Sequence, residues 1–216
     1  MVKFRINTNK SLQKISFGVY GLLSITFGAI GDLIAYLMYP GYNPLRRAVS
    51  SLCLGPGWLF FQAGTVISGF FAFIFLIYLE KTFNEEEVNN NVRRYAKISG
   101  IISCTSFMIL GVFCGSDLII AYIHGISAVI TWISGLLYIS LYNFLIIDSS
   151  NYSKYLGYCG LITTFTLSIM LVFFLLHLFP VLRFLMIILP SLEWLNTLSL
   201  ILWYLMISIY VIHKKI

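Results

Sequence analysis

This chain has little charge. Only 10% of its 216 residues are Asp, Glu, Lys or Arg, where a soluble domain carries roughly a quarter. An ordinary water-soluble globule is excluded, and so is counting soluble domains by length. Signatures of common chemistry are missing too. There is no Gly-x-Ser-x-Gly elbow for a serine nucleophile. The Gly55-Pro56-Gly57 step lacks the Gly-Lys-Ser/Thr ending of a phosphate-binding loop, and no HxxxH or HExxH places two metal ligands on one helix. The four cysteines have no metal-ligand spacing. No small-x-small site closes the first apolar run, which is far longer than the roughly 7–15 residues of a signal-peptide core. It reads as a membrane span.

What is present is hydrocarbon, at 59% hydrophobic residues. A bilayer crossing needs about 20 mostly apolar residues. Six stretches qualify: Ile15–Tyr39, Trp58–Tyr78, Ile98–Phe113, Ala121–Ile146, Leu156–Phe179 and Leu192–Ile212. The fold class expected is an all-α membrane protein, a bundle of six transmembrane helices over residues 15–212. Residues 1–14 form a basic cytoplasmic N-terminus and residues 213–216 a basic tail.

Lys and Arg set the orientation. Eleven of the fourteen fall on one side: Lys3, Arg5, Lys10 and Lys14, then Lys81, Arg93, Arg94 and Lys97, then Lys154, Lys214 and Lys215. Arg46, Arg47 and Arg183 fall on the other. The positive-inside rule places both termini in the cytoplasm of a cell-membrane protein, as an even number of spans requires. The net charge of +6 is thus topological and complements anionic lipid; no nucleic-acid partner is implied. The connection Glu80–Lys97, with its runs Glu85-Glu86-Glu87 and Asn89-Asn90-Asn91, reads as a hydrated cytoplasmic loop.

The first outer connection carries Asn43-Pro44 and Gly55-Pro56-Gly57, start and stop signals for a short helix. Leu45, Val49 and Leu52 would share its buried face, and the helix would lie in the outer interface. Another such piece is expected at Pro180–Pro190. Cys53 and Cys114 both fall at the outer face, where a disulfide is allowed if the compartment oxidises. Cys104 and Cys159 are expected to pack within spans.

Polar residues concentrate toward that outer face. In the first span Gly18, Gly21, Ile25, Gly28, Asp32 and Ala35 follow helical spacing, which puts Asp32 on a packing seam. At 1.5 Å per residue it lies about 10 Å deep. A carboxylate there costs about 2.5–3.5 kcal/mol on insertion scales, so it is paired with a cation or protonated. Further polar seams run His124-Ser127-Thr131-Ser134-Tyr138, Thr163-Thr166-Met170-Phe173-His177 and Glu193-Asn196-Leu200-Trp203. The candidate site is an outer-mouth cluster of Asp32, Arg46, Arg47, Asp117, His124, His177 and Glu193, with Arg183 beside it. Arg46, Arg47 or His124 would neutralise Asp32. Asp32, Glu193 and the two histidines would also suit zinc, but without paired spacing no metal or cofactor is expected.

Tyr42-Asn43-Pro44-Leu45-Arg46, Val49-Ser50-Ser51-Leu52, Gly57-Trp58, Ala63-Gly64 and Ser68-Gly69 resemble the membrane family catalogued as domain of unknown function 998. Gly111-Val112-Phe113 and Ile123-His124-Gly125 look like its second characteristic segment. The resemblance covers the first four spans; the last two match only in hydrophobicity. The family's usual acid stands here as Ser51 and its usual proline as Cys114. A six-helix integral membrane fold is what the resemblance implies. A looser, architectural likeness is to the DRAM-like autophagy-modulator membrane proteins.

Three function classes remain open. The favoured one is a non-enzymatic protein that binds a lipid or a membrane partner, another copy of itself included, through a polar pocket at the outer mouth. The second is an intramembrane lipid hydrolase or transferase using the Asp/His/Glu group. The third is a small-solute or proton-coupled carrier, which requires discontinuous helices or inverted repeats. The likeness of Gly31–Tyr36 to Ser116–Tyr122 hints at such a repeat.

Overall fold

The computed structural model describes residues 16–84 and 86–216. The basic segment 1–14, with its four cations, lies outside the described residues, as do Ile15 and Glu85. Among the described residues six helices are long and apolar enough to cross a membrane: α1 Gly18–Leu37, α2 Trp58–Glu80, α3 Asn90–Val112, α4 Leu118–Asp148, α5 Lys154–Leu176 and α6 Leu189–Lys214. Each packs on its neighbours in sequence, and α6 closes against α1. The helices therefore form a ring. Large apolar side chains such as Leu33, Ile119, Phe165 and Leu198 are exposed on its outside, as a lipid-facing surface requires.

Helix starts explain two departures from the sequence reading. α3 begins at Asn90 and not near Ile98, because the Asn89 side chain accepts the backbone N–H groups of Asn91 (2.9 Å) and Val92 (3.3 Å). The second half of the stretch expected as hydrated loop, from Asn90 on, is thus helical. Its first turns bring Arg93 (3.2 Å) and Lys97 (3.3 Å) onto the buried Glu80 carboxylate. Nearby, Glu87 accepts from the Ser150 hydroxyl (2.7 Å) and backbone N–H (3.1 Å), which hold its carboxyl below the usual carboxylate range.

The connection between α1 and α2 also differs in detail. Asn43 Oδ1 accepts from Leu45 N–H at 2.9 Å, an Asx turn that competes with helix. Only Val49–Leu54 then winds, as a 3₁₀ segment. Val49 and Leu52 are buried as expected, whereas Leu45 is 69% exposed because it belongs to the turn. Cys53 is bonded to Cys114, with Cα atoms 5.3 Å apart, tying this cap segment to the end of α3. A second 3₁₀ segment occupies Pro180–Ile187. Cys104 is buried, but Cys159 is exposed. α5 instead presents Gly157 and Gly160 to Asn143 of α4, which leaves Cys159 off the packed face.

A ring of six helices is too wide for small side chains to fill. The half nearer Gly18 and Lys214 is plugged by Phe75, Tyr138, Tyr142, Trp203 and Tyr204, all buried. Their polar atoms are paired. Tyr142 donates to the Leu76 carbonyl (3.0 Å), and Trp203 Nε1 donates to Asn143 Oδ1 (2.8 Å), so the plug avoids the cost of stranded polar groups. Toward the cap Ser, Thr, Gly and Ala stand among the larger residues of the ring's lining, and it stays hollow.

Candidate functional site: a chamber beneath the cap

The hollow is a chamber of about 180 Å³. α1 contributes Ser24, Gly28 and Asp32; α2 Phe61, Thr65 and Ser68; α3 Ser103, Cys104 and Phe107; α4 Ala128, Thr131, Trp132 and Gly135. α5 adds Leu167, and α6 Glu193, Asn196 and Thr197. Tyr138 and Tyr204, joined hydroxyl to hydroxyl at 3.2 Å, form part of the floor. Val49 and Ser50 of the cap segment form part of the roof.

Two carboxylates stand at the roof. Glu193 Oε1 accepts from the Ser50 backbone N–H at 2.9 Å, which links α6 to the cap. Asp32 lies in the electrostatic field of Glu193. Among the described residues Asp32 has no hydrogen-bonding or ion-pair partner, and the only ion pairs are those of Glu80. The expected neutralisation by Arg46, Arg47 or His124 is therefore not seen.

Those three residues lie away from Asp32. Arg46 and Arg47 are exposed on the cap. The Arg47 guanidinium bonds the Tyr39 hydroxyl and lies 4.9 Å from that ring's centre. His124 Nδ1 contacts the Leu110 (3.1 Å) and Phe113 (3.0 Å) carbonyls, closing the end of α3. His177 turns back onto the Phe174 carbonyl and ring. Asp117 caps α4 by accepting from Ile119 N–H at 3.0 Å, and Arg183 is exposed. Of the seven clustered residues, the structure brings only Asp32 and Glu193 to the chamber. The zinc set does not assemble: among the described residues no three His, Cys, Asp or Glu side chains converge on a metal-sized site.

The roof is braced by aromatic residues. The Tyr42 hydroxyl shares its proton between the Arg47 (3.1 Å) and Ala48 (2.6 Å) carbonyls, and Trp194 Nε1 donates to it at 3.2 Å. Burial pushes the Tyr42 phenol up, so it keeps its proton and these bonds near neutral pH. The sequence reading missed Ser24 and Ser68, whose hydroxyls meet across the chamber wall at 3.2 Å. A signal existed: Ser24, Gly28 and Asp32 repeat every four residues and share one strip of α1.

No curated protein and no solved structure matches this chain, and nothing supports the DRAM-like likeness. A family match, described as "Protein of unknown function (DUF998)", runs over residues 22–210. It extends through the last two spans, beyond the four that carry the sequence resemblance. A six-span membrane protein whose residues match that family from α1 to α6 is a member of it: the chain belongs to the family of unknown function DUF998.

Proposed function

We propose that the protein binds the polar head of a lipid, or a compact amphiphile, in the chamber beneath the cap, and that it lies in the cell membrane with both termini cytoplasmic and the cap outside. The observation that carries the reading is a pair of carboxylates, Asp32 and Glu193, facing a partly open chamber with no cation beside them among the described residues. A charge within a span is a functional-site candidate because it is costly to retain. The volume of about 180 Å³ is below the roughly 300 Å³ at which drug-sized pockets begin. It suits a headgroup or a small molecule, not a whole lipid. The Cys53–Cys114 bond fits a cap on the oxidising side. A carrier mechanism gains nothing from the helices: each described span is continuous, where carriers of the inverted-repeat kind break theirs at the site.

Native mass spectrometry of protein purified in a mild uncharged detergent tests the reading. The parent is expected to retain an amphiphile. Ala128→Phe, which fills the chamber, is expected to lose it while its size-exclusion profile stays unchanged. A parent free of bound mass, or an equal adduct on Ala128→Phe, would sink the proposal.

A further inference from the structure

Resting on that reading, we infer that the guest is a cationic amine, its ammonium group held by Asp32, Glu193 and Asn196 and its short apolar body lying along Phe107 and Trp132. The chamber has a surplus of acceptors. Asp32 and Glu193 are acceptor-only when ionised. Asn196, only 4% exposed and on the chamber wall, has an Oδ1 with no hydrogen-bond partner. A buried unpaired acceptor is costly, and it is an observation separate from the two acids. Nearby donors are largely committed. Ser103 donates to the Thr131 carbonyl (3.1 Å), Thr131 to the Ser127 carbonyl (2.8 Å) and Thr197 to the Glu193 carbonyl (3.0 Å).

A guest that completes this site brings donors and positive charge. A primary ammonium has three N–H groups and no acceptor, one for each of the three acceptors. An anionic headgroup would add repulsion to the carboxylates already present. A bare metal ion finds two acids and an amide but no third His, Cys, Asp or Glu among the described residues, and it makes no use of the apolar wall. An alkyl or aromatic body does, by leaving water for that wall.

Three probes of equal length separate the possibilities: hexylamine, hexanol and hexanoate, titrated calorimetrically at pH 7 into protein in uncharged detergent. Hexylamine is expected to bind at least about tenfold more tightly than hexanol, the scale of one charge-assisted hydrogen bond. Asp32→Asn and Glu193→Gln, each checked for folding by size exclusion, are expected to weaken hexylamine about tenfold and hexanol, whose hydroxyl carries no charge, much less. If hexanol binds as well as hexylamine and neither substitution matters, the amine inference falls while chamber binding stands. If no probe binds and no amphiphile co-purifies, both fall. Binding of calcium chloride alone, abolished by the same substitutions, would assign the acids to a metal ion and overturn the proposal.

Discussion

At the scale of single residues, Asp32 governs the balance between stability and binding. Its charged neighbour is Glu193 and not a cation, so the empty protein carries an uncompensated electrostatic cost. Asp32→Asn is therefore expected to stabilise the unliganded protein by about 1 kcal/mol, raising Tm by about 2–4 °C for a chain of this size. Thermal melts of the two purified proteins check this. A lower Tm in the variant would reveal a counter-charge at Asp32. That Asp32 faces inward was legible from the spacing of Gly28 and Asp32. The roles of Asp117 and His124 were not. Both depend on where a helix ends, and a shift of one or two residues converts a span residue into a cap. Arg46 and Arg47 were misplaced for a related reason, because the Asx turn at Asn43 rotates them out of the helix that would have aimed them.

At the scale of elements, α1 and α2 meet through glycine. A Cβ added at Gly64 would lie 2.9 Å from both Gly31 Cα and the Phe27 carbonyl, so backbone and not a flexible side chain blocks it. Close approach of this kind replaces the hydrophobic effect between helices in lipid. Gly64→Val is expected to destabilise by about 1–3 kcal/mol, the usual cost of overpacking. Gly125 in α4 has nothing within 4 Å of an added Cβ. There Gly125→Ala is expected to be neutral or to stabilise by up to about 1 kcal/mol through helix propensity. Chemical denaturation of the pair in micelles reads both signs, and equal losses would contradict the crossing described. The seam of α1 through Gly28 and Asp32 was visible in the sequence, but the contact made beside it by Gly31 was not. Gly31 turns to α2 while Asp32, about 100° further round the helix, turns to the chamber.

At the scale of the whole molecule, the six spans followed from composition and length, with ends shifted where Asn89 and Asp117 cap. Sidedness rests on the Lys and Arg distribution. Reporters fused at Asn90 and at the C-terminus are expected to read cytoplasm, and one near Asp117 the outside. A cytoplasmic signal at Asp117 would reverse the assignment. The hollow was not legible, because six apolar periodicities fit a filled bundle as well as a ring. What decides is long-range packing: the aromatic plug gathers at one end, and at the other small side chains such as Ser24, Gly28, Ser68 and Ala128 leave room between the larger ones. Closure of that ring has one more consequence. Five of its six seams are crossed by a covalent connection between consecutive helices, while α1 and α6 adjoin with none, Gly18 packed against Ile212. The architecture has no intrinsic first helix: the order in which the polypeptide visits the six positions could be rotated, with old ends joined and new ones opened elsewhere, and the same enclosure would result.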